Sequence, residues 1–338
     1  MWRLENLMRR CYLLALAILL VSLAPLYSQQ SAPWRDPSPH NVQFVSVEKN
    51  VRLEVLDWGG SGQPVVLLAG GGDTAHVFDE FAPKLSANYH VYCITRRGFG
   101  ASGFSATDYG ADRLGEDVLA VIDSLKLNRP VLVGHSIAGE ELSSVATRHR
   151  DRVAGLVYLD AGYPYAFDDG KGPSMKEFLD LRGPDLPPPG QADLTSFSAL
   201  QKYFERVNGV RFPESELRQQ WDSTPDGRVG KPRDFPGSAM LLKGMKKYTD
   251  IRVPALVIFA NPHTQGPAAD NSTDPAVREA NKVYSASLVA LTERQIKTVE
   301  NGVPRARVVT LPGANHYVYL SNEAEVLREM RAFLMGLH

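Results

Sequence analysis

Six short apolar runs constrain this chain most: "PVVLLAG" (64–70), "YHVYCIT" (89–95), "PVLVGH" (130–135), "VAGLVYLD" (153–160), "PALVIFA" (254–260) and "ARVVTLPG" (306–313). A strand that buries one face alternates apolar and polar residues, whereas these runs are nearly continuous, as strands covered on both faces require. Longer helix-compatible stretches separate them. The pattern therefore predicts an α/β chain: a mostly parallel sheet with helices on both faces. Ahead of the runs, "VQFVSVE" and "VRLEVLDWG" are parted by Lys49-Asn50, a hairpin signal that adds two strands and brings the sheet to eight.

Two intervals are too long for single crossover helices. About 90 residues separate "VYLDAG" from "VPALVIF" and include the loop "RGPDLPPPGQ". Within them Phe197, Leu200, Phe204 and Val207 follow helical spacing, as do the apolar residues of "AMLLKGMKKY". We read residues 163–250 as a helical lid inserted after the sixth strand. The second interval opens with the polar loop "NPHTQGPAADNSTDP" and continues as a helix from Ala276 to Val299. The chain closes on an amphipathic helix, for which Asn322 is the expected N-cap with Glu325 three residues on. The core is thus expected in two parts, 42–162 and 251–338, on either side of the insertion.

The N-terminus departs from this pattern. "MWRLENLMRR" carries three arginines against one glutamate, and the 14 residues of "CYLLALAILLVSLA" carry no charge. That length suits the apolar region of a secretory signal and falls short of the roughly 20 residues of a spanning helix. Residues 1–28 are read as a signal peptide or, if uncleaved, an N-terminal anchor, so export to the periplasm or medium is expected, with membrane anchoring as the alternative. Residues 29–41, "QQSAPWRDPSPHN", read as a linker. Without the signal, Cys93 is the only cysteine, which rules out an intramolecular disulfide and leaves a buried small hydrophobe as the expectation. A net charge of −1 provides no basic field for nucleic acid, so a small uncharged or mixed substrate is expected.

Chemistry concentrates in "VLVGHSIAGEEL" (131–142). A strand turning sharply into a helix needs small residues two before and two after the turn residue, and Gly134 and Ala138 flank Ser136 at those distances. The turn would lift the Ser136 hydroxyl above a helix N-terminus, whose free N–H groups favour developing negative charge. An attacking serine needs a base. Of eight histidines, His316 in "LPGANHYVYLSNEAEV" follows the last apolar strand and precedes the last helix, on the same edge as the serine turn. The others read blandly: His76, His90 and His149 in helix or surface contexts, His135 beside the turn, His263 in a polar loop, and His40 and His338 terminal.

These stretches, with "LLAGGGDT" after the third strand and "TRRGFGAS" after the fourth, resemble the α/β-hydrolase superfamily of the serine esterase and lipase-like kind over roughly residues 42–336. The resemblance implies a nucleophile, acid, histidine order, which Ser136, an intervening carboxylate and His316 obey. It implies oxyanion donors at the N–H groups of Ile137 and Gly71. Thr95 stands where relatives commonly have aspartate. No carboxylate follows the seventh strand until Asp270, so Asp160, at the end of the sixth, is preferred as the acid over Asp270, with Asp274 third. Glu140 and Glu141 read as ordinary helix residues.

The resulting expectation is an exported hydrolase of a small ester-like substrate that works through an acyl-enzyme without metal or cofactor. Serine rather than aspartate at the elbow argues against epoxide hydrolase or haloalkane dehalogenase chemistry. A C–C bond hydrolase, an amidase, a prolyl iminopeptidase-like enzyme and a noncatalytic ligand-binding protein on the same fold remain the alternatives.

Overall fold

The computed structural model describes residues 34–241, 244 and 246–337. The apolar N-terminal run, and with it the signal or anchor reading, lies outside the described residues. Asp36–Thr224 and Arg228–His338 make up one compact unit; the other unit, Met1–Arg35 with Pro225–Gly227, lies largely outside the described residues. Among the described residues no helix is long and apolar enough to cross a membrane.

The predicted hairpin is formed by β1 (Asn41–Glu48) and β2 (Val51–Asp57), and Asn50 at the turn has φ 67°. Asparagine tolerates that left-handed conformation better than most residues. The apolar runs become β3 (Pro64–Leu68), β4 (His90–Ile94), β5 (Val131–His135), β6 (Gly155–Leu159), β9 (Ala255–Ala260) and β10 (Ala306–Leu311). The eight strands lie in the order β1-β2-β4-β3-β5-β6-β9-β10. β2 is antiparallel to both β1 and β4, and every other neighbouring pair is parallel.

The reason for continuous apolarity is visible in how successive residues divide between two core layers. Val66, Leu68 and Leu132 pack into one layer, with the helices α1 (Ala111–Ser124) and α2 (Ala138–Arg148). Val65, Leu67, Val131 and Val133 pack into the opposite layer, with Phe78, Phe81, and Val326, Met330 and Leu334 of the last helix. β10, at the sheet edge, is only partly buried.

Between β6 and β9 lies the insertion. It contains the helices α3 (Met175–Asp180), α4 (Phe197–Asn208) and α5 (Glu214–Gln220) and one helical turn at Ser238–Leu241. It also contains an antiparallel strand pair, β7 (Trp221–Ser223) with β8 (Val229–Pro232), so it is not wholly helical as expected. The sequence signal for this hairpin was the turn-forming stretch Thr224-Pro225-Asp226-Gly227.

The expected cap of the last helix differs. Asn322 precedes α7 (Glu323–Met335) but makes no side-chain capping bond, because its backbone (φ −127°, ψ 42°) departs from the extended conformation that aims a capping side chain. Thr74 caps the 3₁₀ turn Ala75–Phe78, accepting from the His76 N–H. The long helix after β9, α6, spans Pro275–Gly302, slightly beyond the expected range.

Candidate active site

Because β3, β5, β6, β9 and β10 run parallel, the loops at their carboxyl ends gather at one sheet edge, where open α/β sheets place their ligands. Ser136 leaves β5 there. Its φ of 53° is left-handed, a strained conformation for a residue with a side chain and the signature of a sharp strand-to-helix elbow. Crowding explains the small residues around it. A Cβ on Gly134 would lie 3.2 Å from the Ala138 Cβ and 2.8 Å from Leu142 Cδ1. A Cβ on Gly139 would lie 2.2 Å from the Ala161 carbonyl oxygen, so Gly139 is as constrained as the two positions recognised from sequence. The Ser136 N–H donates to the Leu159 carbonyl (3.3 Å), which ties the elbow to the end of β6.

Asp160, the next residue of that segment, also has positive φ (46°), and its side chain is fully buried. Its Oδ2 accepts from His316 Nδ1 at 2.6 Å and from His263 Nε2 at 2.8 Å. Its Oδ1 accepts from the Ala260 N–H and the Tyr163 hydroxyl, both at 3.0 Å. Burial alone would raise the carboxyl, but the His263 charge and the hydrogen bonds from both histidines outweigh it and hold the group well below the usual carboxylate range. Asp160 is thus a fixed anion.

The other candidate acids lie elsewhere. Asp270 closes its own loop, accepting from the Thr264 hydroxyl, the Gln265 N–H (3.1 Å) and Asn281 Nδ2 (3.1 Å). Asp274 caps α6 by accepting from the Ala276 N–H (2.8 Å). Each carboxylate is engaged by local backbone, a signal that proline and polar loop residues around it already carried.

His263 was not expected at the site. Its side chain is 8% exposed, and it shares Oδ2 of Asp160 with His316. Burial lowers its pKa, but the Asp160 charge and hydrogen bond prevail and the net shift is upward. The polar loop after β9 hid a buried side chain; the position of His263, where relatives were expected to carry their acid, was the available clue. His263→Ala is expected to lower kcat by about 10- to 100-fold by letting the Asp160 carboxylate drift, with the elbow serine still reactive. Steady-state kinetics on the purified variant check this. Asp160, His263 and His316 also satisfy metal-ligand spacing. Their hydrogen bonds nonetheless use both nitrogens that face Asp160 and all of its acceptor capacity toward them.

His135, expected only as the residue beside the turn, is 1% exposed and joins two loops. Its Nε2 hydrogen-bonds the His316 carbonyl (3.1 Å), and a Cβ on Gly70 would lie 2.8 Å from its Nδ1. Burial, reinforced by the His316 charge, depresses its pKa strongly, so the ring is neutral and Nε2 donates.

The glycine loop after β3 is held by Arg96 of the "TRRGFGAS" segment. Arg96 Nη2 donates to the Ala69 carbonyl (2.8 Å) and Nη1 to the Gly70 carbonyl (3.1 Å), while Nε pairs with Glu141. Engaging those carbonyls on the arginine side leaves the following glycines to line the cavity with Ile137. A Cβ on Gly71 would stand 3.5 Å from Ile137 Cγ2, so the two residues expected to supply the oxyanion donors are neighbours in the cavity wall. Glu141 is therefore no ordinary helix residue. Glu140 is equally buried, and burial followed by the Glu141 charge pushes its carboxyl up to about 8. Thr95 takes over a structural role, donating to Glu54 Oε2 (2.7 Å) and accepting from the Ala75 N–H (3.0 Å).

The same loop is bound to the insertion. Glu216 of α5 accepts from the Thr74 N–H (3.0 Å) and hydroxyl (2.5 Å), and Gln220 donates to Asp73 (3.1 Å). Burial and then the Asp73 charge push the Glu216 carboxyl up to about 8. The folded protein then holds a proton that the unfolded chain releases above about pH 4.3, so this contribution to stability is complete at low pH and is lost as pH rises through 8. The Tm is expected to fall between about pH 5 and 8 in the wild type and to fall less in Glu216→Gln, as thermal melts across that range will show.

Ser136, His316, His263, Gly71 and Ile137 line one cavity of about 730 Å³. Its walls are largely apolar, with Met175, Phe178 and Leu181 from the start of the insertion and Leu288 from α6. Tyr163 and Tyr165 pack against Phe178, tilted and edge-to-face, at 5.1 and 5.6 Å between ring centroids.

A parallel sheet presenting a serine elbow with a carboxylate-bound histidine at its carboxyl edge defines an α/β hydrolase. Comparison with known families agrees: residues 65–329 match the model of the alpha/beta hydrolase family, to which this chain belongs. Among curated proteins it is similar to 2-(acetamidomethylene)succinate hydrolase of Mesorhizobium japonicum, 24% identical over 266 residues, covering 77% of this chain and 83% of that protein. It is also similar to epoxide hydrolase A of Mycobacterium tuberculosis, 34% identical over 202 residues, covering 55% and 62% of the two chains. Among solved structures, an E-2-(acetamidomethylene)succinate hydrolase superposes with a TM-score of 0.62 at 20% identity, over 87% of this chain and 99% of that one. The carboxylesterase CesB of Bacillus subtilis gives 0.56 at 16% identity, over 89% and 93%. The relatives are hydrolases, esterases included.

Proposed function

We propose that this protein is a serine hydrolase that cleaves a small, neutral ester through a Ser136, His316, Asp160 triad. The observation that carries the reading is the 2.6 Å bond from His316 Nδ1 to the buried Asp160, beside an elbow serine in an apolar cavity. His316 Nε2 takes the proton of Ser136 as Oγ attacks the acyl carbon, and the carbonyl electron pair moves onto oxygen. The N–H groups of Ile137 and Gly71 receive that oxyanion, with the α2 N-terminus adding its dipole. The tetrahedral adduct collapses, the alcohol leaves with the proton from His316, and water repeats the sequence to release the acid and restore Ser136. Asp160 holds the tautomer in which Nδ1 donates and Nε2 accepts, and stabilises the imidazolium.

The cavity walls favour neutral, apolar acyl groups over carboxylate-bearing ones. Its described lining residues include no lysine or arginine. A second carboxylate on the substrate would meet Tyr163, Tyr165 and Phe178 with no full positive charge besides the site histidines, at a desolvation cost of several kcal/mol. The substrate of the succinate-derivative hydrolase is therefore not carried over to this chain. Serine at the elbow likewise separates it from epoxide opening. A panel of p-nitrophenyl esters of increasing acyl length, with a dicarboxylic half-ester and a matched anilide, tests the assignment. Turnover should be highest on neutral short to medium acyl esters. Preference for the half-ester or the anilide would overturn it.

Export is proposed on the sequence of residues 1–28 alone, with anchoring by that segment as the alternative. Fractionating cells that express the full chain tests it: a cytosolic product of full length would contradict both.

A further inference from the structure

A second group of titratable side chains lies apart from the catalytic cavity. Asp36 and His40 precede β1; His76 and Asp79 belong to the 3₁₀ turn and its end, shortly after the glycine loop. His76 Nδ1 lies 3.1 Å from Asp36 Oδ2 and 3.2 Å from Asp79 Oδ2. His40 Nε2 lies 3.4 Å from Asp36 Oδ2 and 3.9 Å from Asp79 Oδ1. One donor atom from each of the four residues fits within a mutual spacing of 4.8 Å. Two ligands held at about 2.0 to 2.1 Å from a tetrahedral ion stand about 3.3 to 3.4 Å apart; the 3.1, 3.2 and 3.4 Å separations are close to such an edge, and the 3.9 Å from His40 to Asp79 is longer.

Hydrogen bonding among the described residues does not account for the group. Asp36 Oδ2, both ring nitrogens of His40 and Asp79 Oδ1 are buried with no hydrogen-bond partner. The side chains of His40, His76 and Asp79 are 3%, 5% and 4% exposed. Leaving several such atoms unserved in a native interior is destabilising, because each has given up its water without a replacement partner. A single proton on His76 Nδ1 cannot serve two carboxylates well and does nothing for His40.

The surroundings orient the four as ligands. The Ser38 N–H donates to Asp36 Oδ1 (2.9 Å), leaving Oδ2 to face the histidines. Ser38 and Ser215 hydroxyls donate to Asp79 Oδ2. Behind His76, Glu54 Oε1 stands 3.7 Å from Nε2, which puts a carboxylate on the far side of the ring, beyond direct hydrogen-bond distance.

We propose that Asp36, His40, His76 and Asp79 form a structural site for one divalent transition-metal ion, with zinc the best match to two imidazoles and two carboxylates. Four protein ligands leave no open position, so the ion acts as a clip rather than a catalyst. It fastens the segment ahead of β1 to the turn following the glycine loop, and Ser215 carries the fastening to the insertion. The stretch expected as a plain linker up to residue 41 thus ends in a docked segment from Asp36.

Chelator-treated full chain is dialysed against micromolar Zn²⁺, separated from free metal and assayed by elemental analysis, with the Tm measured in parallel. Wild type should retain about one zinc per chain and melt several degrees higher than the metal-free protein. His263→Ala should retain zinc equally, which separates this site from the Asp160 group, while His40→Ala and the isosteric Asp36→Asn should retain less than about a tenth as much. Cooperative melting of either variant shows that it is folded, and the wild-type arm stands whether or not they fold. Wild type retaining no zinc with an unmoved Tm would overturn the proposal. So would zinc retention by folded His40→Ala equal to wild type, or loss of zinc in His263→Ala.

Discussion

Asp160→Asn is expected to lower kcat by about 10³- to 10⁴-fold, with KM nearly unchanged. The side chain keeps its volume, and its oxygen can still accept from the Ala260 N–H and the Tyr163 hydroxyl. The amide NH₂ then faces His316 Nδ1 and His263 Nε2, where the carboxylate now accepts from both. A donor there forces His316 into the tautomer whose Nε2 carries the proton and cannot take one from Ser136. The loss therefore falls on the chemical step, not on substrate binding. Asp270→Asn, whose carboxylate serves the Thr264 to Asn281 loop, is expected to change kcat less than about threefold. Parallel kinetics of the two variants on one neutral ester check both statements, and wild-type turnover by Asp160→Asn would remove Asp160 from the mechanism.

Ser136→Ala is expected to have the largest effect, a loss of at least about 10⁴-fold in kcat, with any residual rate supplied by binding and the oxyanion donors. The substitution removes one oxygen from a partly exposed side chain and leaves the Gly134 and Gly139 crossings intact. Stability is expected to stay within about 1 kcal/mol of wild type, so the loss is chemical and not a failure to fold. Substrate affinity should persist, which isothermal titration with a slowly hydrolysed ester can measure on the variant. A noncatalytic binding protein would show the same affinity but no difference in turnover between the two proteins.

Much of this arrangement was legible in the residues because burial on two faces leaves a mark that alternation does not. The six continuous runs gave the parallel strands, and Lys49-Asn50 gave the hairpin. The elbow was readable because a close crossing demands small side chains on both sides, as Gly134 and Ala138 show. His263 was hidden because local composition describes its loop and not the buried space into which the ring folds. Glu141 was hidden similarly: a glutamate in a helix reads as solvated until the distant Arg96 is found against it. Asn322 shows the reverse error, a capping residue by type whose backbone angles do not aim its side chain. Asp36 and His40 belong to the same class as His263, since polar residues in a proline-rich stretch gave no sign that they meet His76 and Asp79.

Reaction with a fluorophosphonate, followed by mass spectrometry of the peptide spanning residues 131–148, tests the central claim most directly. Wild type should acquire one phosphonyl group on Ser136, His316→Ala should react far more slowly, and Ser136→Ala should not acquire it. Equal labelling of wild type and Ser136→Ala, or no labelling of wild type, would contradict the assignment of Ser136 as an activated nucleophile.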